Sequence, residues 1–284
     1  MDPPYGIAEP LEPGIARLLA PNPSPFTFTG TNSFLVGTRA LAVIDPGPDS
    51  DEHVEALLAA IAGRPVTAIL CTHTHRDHSP AARPLAAATG AAVVGCAALA
   101  LDVVGARADA GFDPDYVPDR VLADGEGVEV DGRRLTAVAT PGHTSNHLCF
   151  ADETSGALFT GDHVMGWSTS VVIPPDGDMA AYMASLEKLR TREDRIYFPA
   201  HGPAVTNPRQ LVRGLIGHRL QREKQILRLV RERPSTVPEI VAGAYPGLDP
   251  RLIGGAGASV LAHLLDLERR AVVVRDEDRW KPAA

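Results

Sequence analysis

The stretch Thr72-His73-Thr74-His75-Arg76-Asp77-His78 sets four metal-ligand side chains within six positions, directly after the apolar run Val66 to Cys71. Residues 66–71 read as a buried strand. The chain therefore leaves that strand extended, and His73 and His75, two apart, carry their imidazoles on one side. They can share one cation. Asp77 and His78 follow where Ser79-Pro80 opens an alanine-rich helix (AARPLAAATG), which turns the backbone and aims the second pair at a neighbouring point, where a second cation is expected. Imidazole nitrogen and carboxylate oxygen suit zinc, and less selectively manganese or iron. With no cysteine among the candidates, the site reads as open and catalytic rather than as a closed structural zinc site.

Three more ligand-type residues each follow a strand-like run. His143 comes after Leu135–Thr140 through a Pro141-Gly142 turn, Asp162 after Ala157–Gly161, and His201 after Ile196–Ala200. A lone histidine after a strand is more often a surface or core residue. In open α/β sheets, however, ligands gather beyond the carboxyl ends of strands, so four such segments can converge on one site.

The segments THTHRDH, TPGHTSNH, FTGDH and FPAHG, in this order and spacing, resemble the H-x-H-x-D-H…H…D…H pattern of the metallo-beta-lactamase superfamily. The resemblance reaches from about Asn32 to about Pro203, and GTNSFLVG followed by LAVIDPG is similar to the family's first hairpin. It implies a four-layer αββα sandwich. It also implies that His73, His75 and His143 hold one metal, that Asp77, His78 and His201 hold the other, and that Asp162 bridges both. Two Zn2+ per chain are expected, with Mn2+ or Fe as substitutes. The continuation through GDMAAYMASLEKL, HGPAVTN and HRLQREKQIL into a small C-terminal region resembles the beta-lactamase-like-2 branch, known for single-strand RNA endonuclease activity. Glyoxalase II and related thioesterases share the metal motif over less of the chain. Asp162 stands where the drug-hydrolysing class that resembles this chain has a cysteine.

Composition narrows the setting. No run of eighteen apolar residues occurs and MDPPYGIAEPLEPG has neither a basic nor an apolar leader region, so the reading is a cytoplasmic protein without membrane insertion. Cys71, Cys96 and Cys149 are odd in number and scattered, which reads as buried reduced thiols. Charge divides the chain. Residues 1–207 carry 13 Lys and Arg against 26 Asp and Glu, a net −13, whereas residues 208–284 carry 14 against 9, a net +5.

That change of character sets the expected boundary: a catalytic domain over 1–207 and a winged-helix-like domain over 208–284. In the first, FTFTG, SFLVG and LAVID are strand-like, Ser50 caps a helix through HVEALLAAIAG, and Asp131-Gly132 marks a hairpin. The loop 106–119, rich in Gly, Asp and Pro, is a candidate cover for the site. In the second, Asn207-Pro208 starts a long helix with Leu211, Leu215, Ile216, Leu220, Ile226, Leu227 and Val230 on its apolar side and Arg213, Arg219, Arg222, Lys224 and Arg228 on a solvated face. Ser235 is expected to cap a second helix. A third over Leu252–Leu267 offers Ser259, His263 and Asp266, and AVVVRDEDRWKP reads as the wing. A basic recognition face is lacking, so no duplex DNA partner is expected.

Two cations close together hold a bridging hydroxide, the expected nucleophile, with Asp77 positioning the water and shuttling its proton. Asp45, by resemblance, and Thr72 support the ligands, assisted by Thr74 and Thr140, and His147 lies in their surroundings or meets substrate. His147 and His163 are read as non-ligands. Asn32, Trp167, Ser168 and Tyr182 are candidate pocket walls. The expected function is binuclear metal-dependent cleavage of an ester-type or phosphodiester bond, with a small-molecule ester or thioester or single-strand RNA as substrate. The alternatives are a single-strand RNA endonuclease specifically, a glyoxalase II-like thioesterase, a di-iron redox protein, or a winged-helix nucleic-acid-binding protein with a relic metal site.

Overall fold

The structure is a computed structural model that describes residues 4–99 and 111–283. The chain folds into two compact units, one of residues 1–140, 146–168 and 193–208, the other of residues 141–145, 169–192 and 209–284.

The first unit holds two facing sheets. Strands β1 (Glu9–Glu12), β2 (Ile15–Leu19), β3 (Asn32–Val36), β4 (Leu41–Ile44), β5 (Val66–Cys71), β6 (Ala92–Gly95) and β7 (Arg120–Val121) lie in chain order, antiparallel up to β4 and parallel from β4 to β7. Strand β4 is buried on both faces and β5 at every residue but Thr67, which is why both read as near-continuous apolar runs rather than alternating ones. Helices α1 (Asp51–Ile61) and α2 (Ala82–Thr89) are the crossovers into β5 and β6. Ser50 caps α1 through the His53 N–H, as expected.

The second sheet runs β12 (Ile196–Pro199), β11 (Ala157–Gly161), β10 (Leu148–Asp152), β9 (Arg133–Ala139), β8 (Gly127–Val130). Asp131 and Gly132 sit at φ +49° and +79° between β8 and β9, the left-handed pair of a two-residue hairpin. Phe34 of β3 meets Phe159 of β11 and Phe198 of β12 at ring-centroid distances of 5.0 and 5.9 Å, so one aromatic cluster joins the two sheets. Each ring, at 3% exposure or less, contributes about 2–3 kcal/mol by burial.

In the second unit, α3 (Met179–Arg190) starts at the Asp178 cap, and α4 (Pro208–Glu232), α5 (Val237–Ala244), α6 (Ile253–Arg269), β13 (Val273–Asp276) and β14 (Arg279–Pro282) follow. Ile226, Val230, Ile240, Leu264, Leu267 and Trp280 centre the core that holds the last three helices to the wing.

Several local expectations are corrected. FTFTG is a turn, because the Ser24 hydroxyl accepts from the Phe26 and Thr27 N–H groups and takes them from any sheet. The alanine-rich helix starts at Ala82, and the Ser79 hydroxyl instead donates to Asp113 at 2.9 Å. Thr236, not Ser235, caps α5 in a reciprocal capping box with Glu239. On α4, Val212 and Arg219 are buried and Leu220 is 46% exposed, so the apolar stripe is rotated from the one expected. Strands β1 and β2 have no counterpart in the elements expected from sequence. Of the 106–119 loop, residues 106–110 lie outside the described residues. No helix among the described residues is long and apolar enough to cross a membrane.

Candidate metal centre

Most of the ligand-type residues stand where strands of the first unit end. β5 delivers Thr72 through His78, β11 ends at Asp162, and β12 leads through Ala200 to His201. One ligand atom from each of His73, His75, His143 and Asp162 lies within 4.8 Å of the others, and Asp77, His78 and His201 form a second such group. Asp162 also faces this second group: its Oδ1 is 3.2 Å from His201 Nε2 and 3.5 Å from His78 Nε2. Asp77 Oδ2 lies 3.2 and 3.4 Å from the same two nitrogens, and His73 Nε2 is 3.0 Å from His75 Nδ1. Metal–nitrogen bonds of about 2.0 Å in a tetrahedron set neighbouring ligand atoms about 3.3 Å apart, which is the spacing found.

The hydrogen bonds around the rings define which nitrogen faces inward. Thr72 gives its hydroxyl proton to Asp45 Oδ2 at 2.8 Å, so at 3.0 Å it accepts from His73 Nδ1. His78 Nδ1 donates to Asp45 Oδ2 at 3.0 Å, His143 Nδ1 to the Val171 carbonyl at 2.6 Å, and His201 Nδ1 to the Gly30 carbonyl at 3.2 Å. Each of the four rings thus keeps an Nε2 lone pair for the centre, the arrangement that metal-ligating histidines adopt. Asp45 takes up this work at φ +46°, a left-handed conformation that aspartate tolerates, and its Oδ1 also accepts the Thr72 N–H at 2.8 Å.

Burial opposes charge at each of the groups that face one another here, and their mutual field overrides it. The Asp162 carboxyl is held well below the usual range because His201 and His78 face it, and Asp77 is held down in the same way. His201 is pushed up to about 10 by Asp162 and Asp77, and His78 well above its ordinary value by Asp77, Asp162 and Asp45. A field that holds protons on buried imidazoles between carboxylates equally suits a divalent cation in their place.

The turn that carries His143 is tied down on both sides. Gly142 at φ +140° donates its N–H to the Thr144 carbonyl and accepts from the Asp178 N–H, while Ser145 donates to Asp176. His147 is placed outside both groups: its Nε2 accepts the Asp162 N–H at 3.1 Å, so its Nδ1 donates to Thr140 at 2.9 Å. Thr74 accepts from the Asn146 amide.

Other expected site residues fall differently. Asn32 is buried and donates to the carbonyls of Pro199 and Gly202, bracing the His201 turn instead of facing a substrate. Tyr182 is wholly buried, with Arg219 over its ring at 5.1 Å, so it is core rather than pocket wall. Arg219 itself, expected in solvent, donates to the Ser170 carbonyl from a buried position. Ser259 and His263 on α6 are buried too. Trp167 remains 37% exposed and stacks on Phe28 at 4.9 Å. Two aromatics carry no signal in the sequence that marks them as site residues. Phe28 lies in a segment whose alternation reads as strand, and Phe112, whose ring lies 4.9 Å from that of His75, is in a loop without periodicity. Cys71, Cys96 and Cys149 are free and buried.

The family model described as the metallo-beta-lactamase superfamily matches residues 26–201, and the one described as the beta-lactamase associated winged helix domain matches residues 236–280. The chain is 32% identical to an atrochrysone carboxyl ACP thioesterase of Paecilomyces divaricatus over 79% of its own length and 67% of that protein's. It is 31% identical to a beta-lactamase-like protein 2 homolog of Drosophila melanogaster over 91% and 89% of the two chains. The crystal structure of a beta-lactamase domain protein from Burkholderia ambifaria superposes with a TM-score of 0.82 at 22% identity, covering 99% of this chain and 95% of that one.

Proposed function

This chain belongs to the metallo-beta-lactamase superfamily and is a metal-dependent hydrolase with an α/β sandwich and a winged-helix domain, and on that footing we propose a binuclear centre that cleaves an ester-type bond. His73, His75 and His143 would hold one divalent cation, Asp77, His78 and His201 would hold the other, and Asp162 would serve both. The observation that carries this reading is the double membership of Asp162, grouped with the first three histidines and also 3.2 Å from His201. Zinc is the first choice for a set of five imidazoles and two carboxylates, with manganese or iron as substitutes.

Two such cations, when bound, supply Lewis acidity toward the scissile carbonyl or phosphoryl oxygen and acidify water held between them. The protein's part is orientation. Asp45 and Thr72 keep His73 and His78 in the tautomer that presents Nε2, and His147 fixes the backbone of Asp162. Asp77, held ionised by the facing His78 and His201, would orient the attacking water by accepting its hydrogen bond. We assign this chemistry to residues 1–207 and a packing role to residues 208–284. The third helix of that region keeps its polar residues Ser259 and His263 inside, which speaks against groove reading. That the fungal relative is an acyl carrier protein thioesterase by name favours a thioester over a phosphodiester.

Elemental analysis of the purified protein tests the centre, with turnover on 4-nitrophenyl esters, acyl thioesters, a lactone, bis-4-nitrophenyl phosphate and labelled single-strand RNA. Two metals per chain and carbonyl-ester turnover are expected, and Asp162→Ala is expected to lower turnover by about 10³-fold or more. A His75→Ala protein that keeps its metal and its turnover would falsify the assignment.

A further inference from the structure

The largest exposed aromatic surface among the described residues of the first unit belongs to two rings on each other. Phe28, 45% exposed, and Trp167, 37% exposed, stack at 4.9 Å with 23° between their planes. Exposed aromatics usually lie apart; a stacked pair in water forgoes burial that neighbouring core space could have supplied.

The segments that carry the two rings adjoin the same metal-ligand candidate, His201. The Gly30 carbonyl, two residues after Phe28, accepts from His201 Nδ1. Trp167 lies over Gly202, so a Cβ there would come within 2.9 Å of its Cδ1, and Gly166 donates its N–H to the His201 carbonyl. Phe28 is at φ +58°, where an aromatic residue is strained, and its surroundings hold it there. Thr27 donates to the Asn22 carbonyl, Asn22 donates to Thr31 and accepts its N–H, the Gly30 N–H closes onto Thr27, and Tyr5 donates to Thr29. The pair is a built shelf beside His201, not a chance contact of a loose loop.

Charge selects among occupants. The segments PNPSPFTFTGT (21–31) and VMGWSTS (164–170) contain no charged residue, and residues 1–207 carry a net −13. Stacking platforms for single-strand nucleic acid pair their aromatics with a basic track for the phosphates, and these segments provide none. We propose that Phe28 and Trp167 form a specificity shelf that binds a planar, uncharged acyl group, aryl or conjugated, of a thioester substrate. The inference rests on the hydrolase reading above for the bond cleaved: water adds its hydroxyl to the carbonyl carbon, the carbon–sulfur bond breaks, and the sulfur takes the water's other proton and leaves as the thiol.

The test compares benzoyl and acetyl thioesters of pantetheine with the metal-loaded protein. The parent is expected to favour benzoyl in kcat/KM by at least tenfold. Phe28→Ala and Trp167→Ala should each collapse that ratio about tenfold, mainly through KM, while Trp167→Phe restores it and metal content stays that of the parent. Binding is read separately as quenching of Trp167 fluorescence by a non-hydrolysable benzoyl-pantetheine analogue, with Trp167→Phe as the control. A benzoyl preference that both alanine variants retain overturns the shelf, as does displacement of the analogue by single-strand RNA more tightly than by benzoate-type compounds. If the parent cleaves neither thioester yet binds the analogue in a Phe28-dependent way, the shelf stands and the thioester reading fails.

Discussion

Gly142 lies so close to the backbone of Tyr182 that a Cβ on it would fall 2.5 Å from the Tyr182 Cβ and nearer still to its Cα. A backbone cannot swing aside as a side-chain tip can, and Gly142 is also at φ +140°. The residue after it is His143, whose ring is aimed by the Val171 carbonyl. Gly142→Ala is therefore expected to cost about 3 kcal/mol or more in stability and to expel metal from the His143 group. Thermal unfolding and metal content of the variant check this, and a protein with parental values in both would show that the turn has room to yield.

Asp45 offers a separate handle on the other group. Asparagine tolerates the same positive φ, so Asp45→Asn keeps the backbone while turning an amide toward the His78 Nδ1 proton. Metal affinity should fall about 10- to 100-fold, with the fold intact. Competition against a chromophoric chelator measures it; unchanged affinity would mean that His78 needs no partner on its outer nitrogen.

Stability should fall with acid over a defined window because of His53. This ring is 1% exposed, beside Ser33 at 3.0 Å, and burial lowers its pKa to about 4. Its unfolded value is near 6.5, so between these values the unfolded chain binds a proton that the folded one refuses. The stabilisation is complete above about 6.5 and is lost as pH drops toward 4, up to about 3 kcal/mol. Urea midpoints of chelator-treated protein at about pH 7, 5.5 and 4.5 should show the decline, and His53→Gln should reduce it, leaving the part due to His263, whose pKa burial lowers to about 3. Parallel declines in both proteins would assign the loss to other groups.

The three cysteines should be silent in the native protein. Burial pushes the Cys96 thiol up to about 12 and the Cys71 thiol well above its usual value, leaving almost no thiolate near neutrality. A chromogenic aryl disulfide is expected to find no reactive thiol until denaturant is added and then to find all three, none being in a disulfide. A fast-reacting thiol in the folded protein would place a cysteine at the surface.

The fold and the centre were legible to different depths. The ligand-type residues could be read from the chain because strand ends and ligand spacing are local properties: an apolar run followed by His-x-His-x-Asp-His has the same meaning wherever it folds. The Asp131-Gly132 hairpin and the Ser50 cap are local in the same sense, since turn and cap chemistry act within four residues. FTFTG misleads because its strand-like alternation competes with a serine hydroxyl that takes two of its N–H groups. Arg219 misleads because a guanidinium on an amphipathic helix faces water unless a carbonyl and a ring, here Ser170 and Tyr182, are brought to it from elsewhere in the chain.

By itself the sequence determined the chemistry available: five imidazoles, two carboxylates and the strands that carry them. Tertiary structure alone decided which nitrogen of His73, His78, His143 and His201 faces inward, that Asp45 serves Thr72 and His78 at once, and that Asn32 and Tyr182 are buried while Phe28 and Trp167 are left to solvent. The reason is physical. Residue type and short spacing are written along the chain, whereas a hydrogen-bond acceptor such as the carbonyl of Gly30 or Val171 is the same in every residue and gains meaning only when folding sets it against a particular ring.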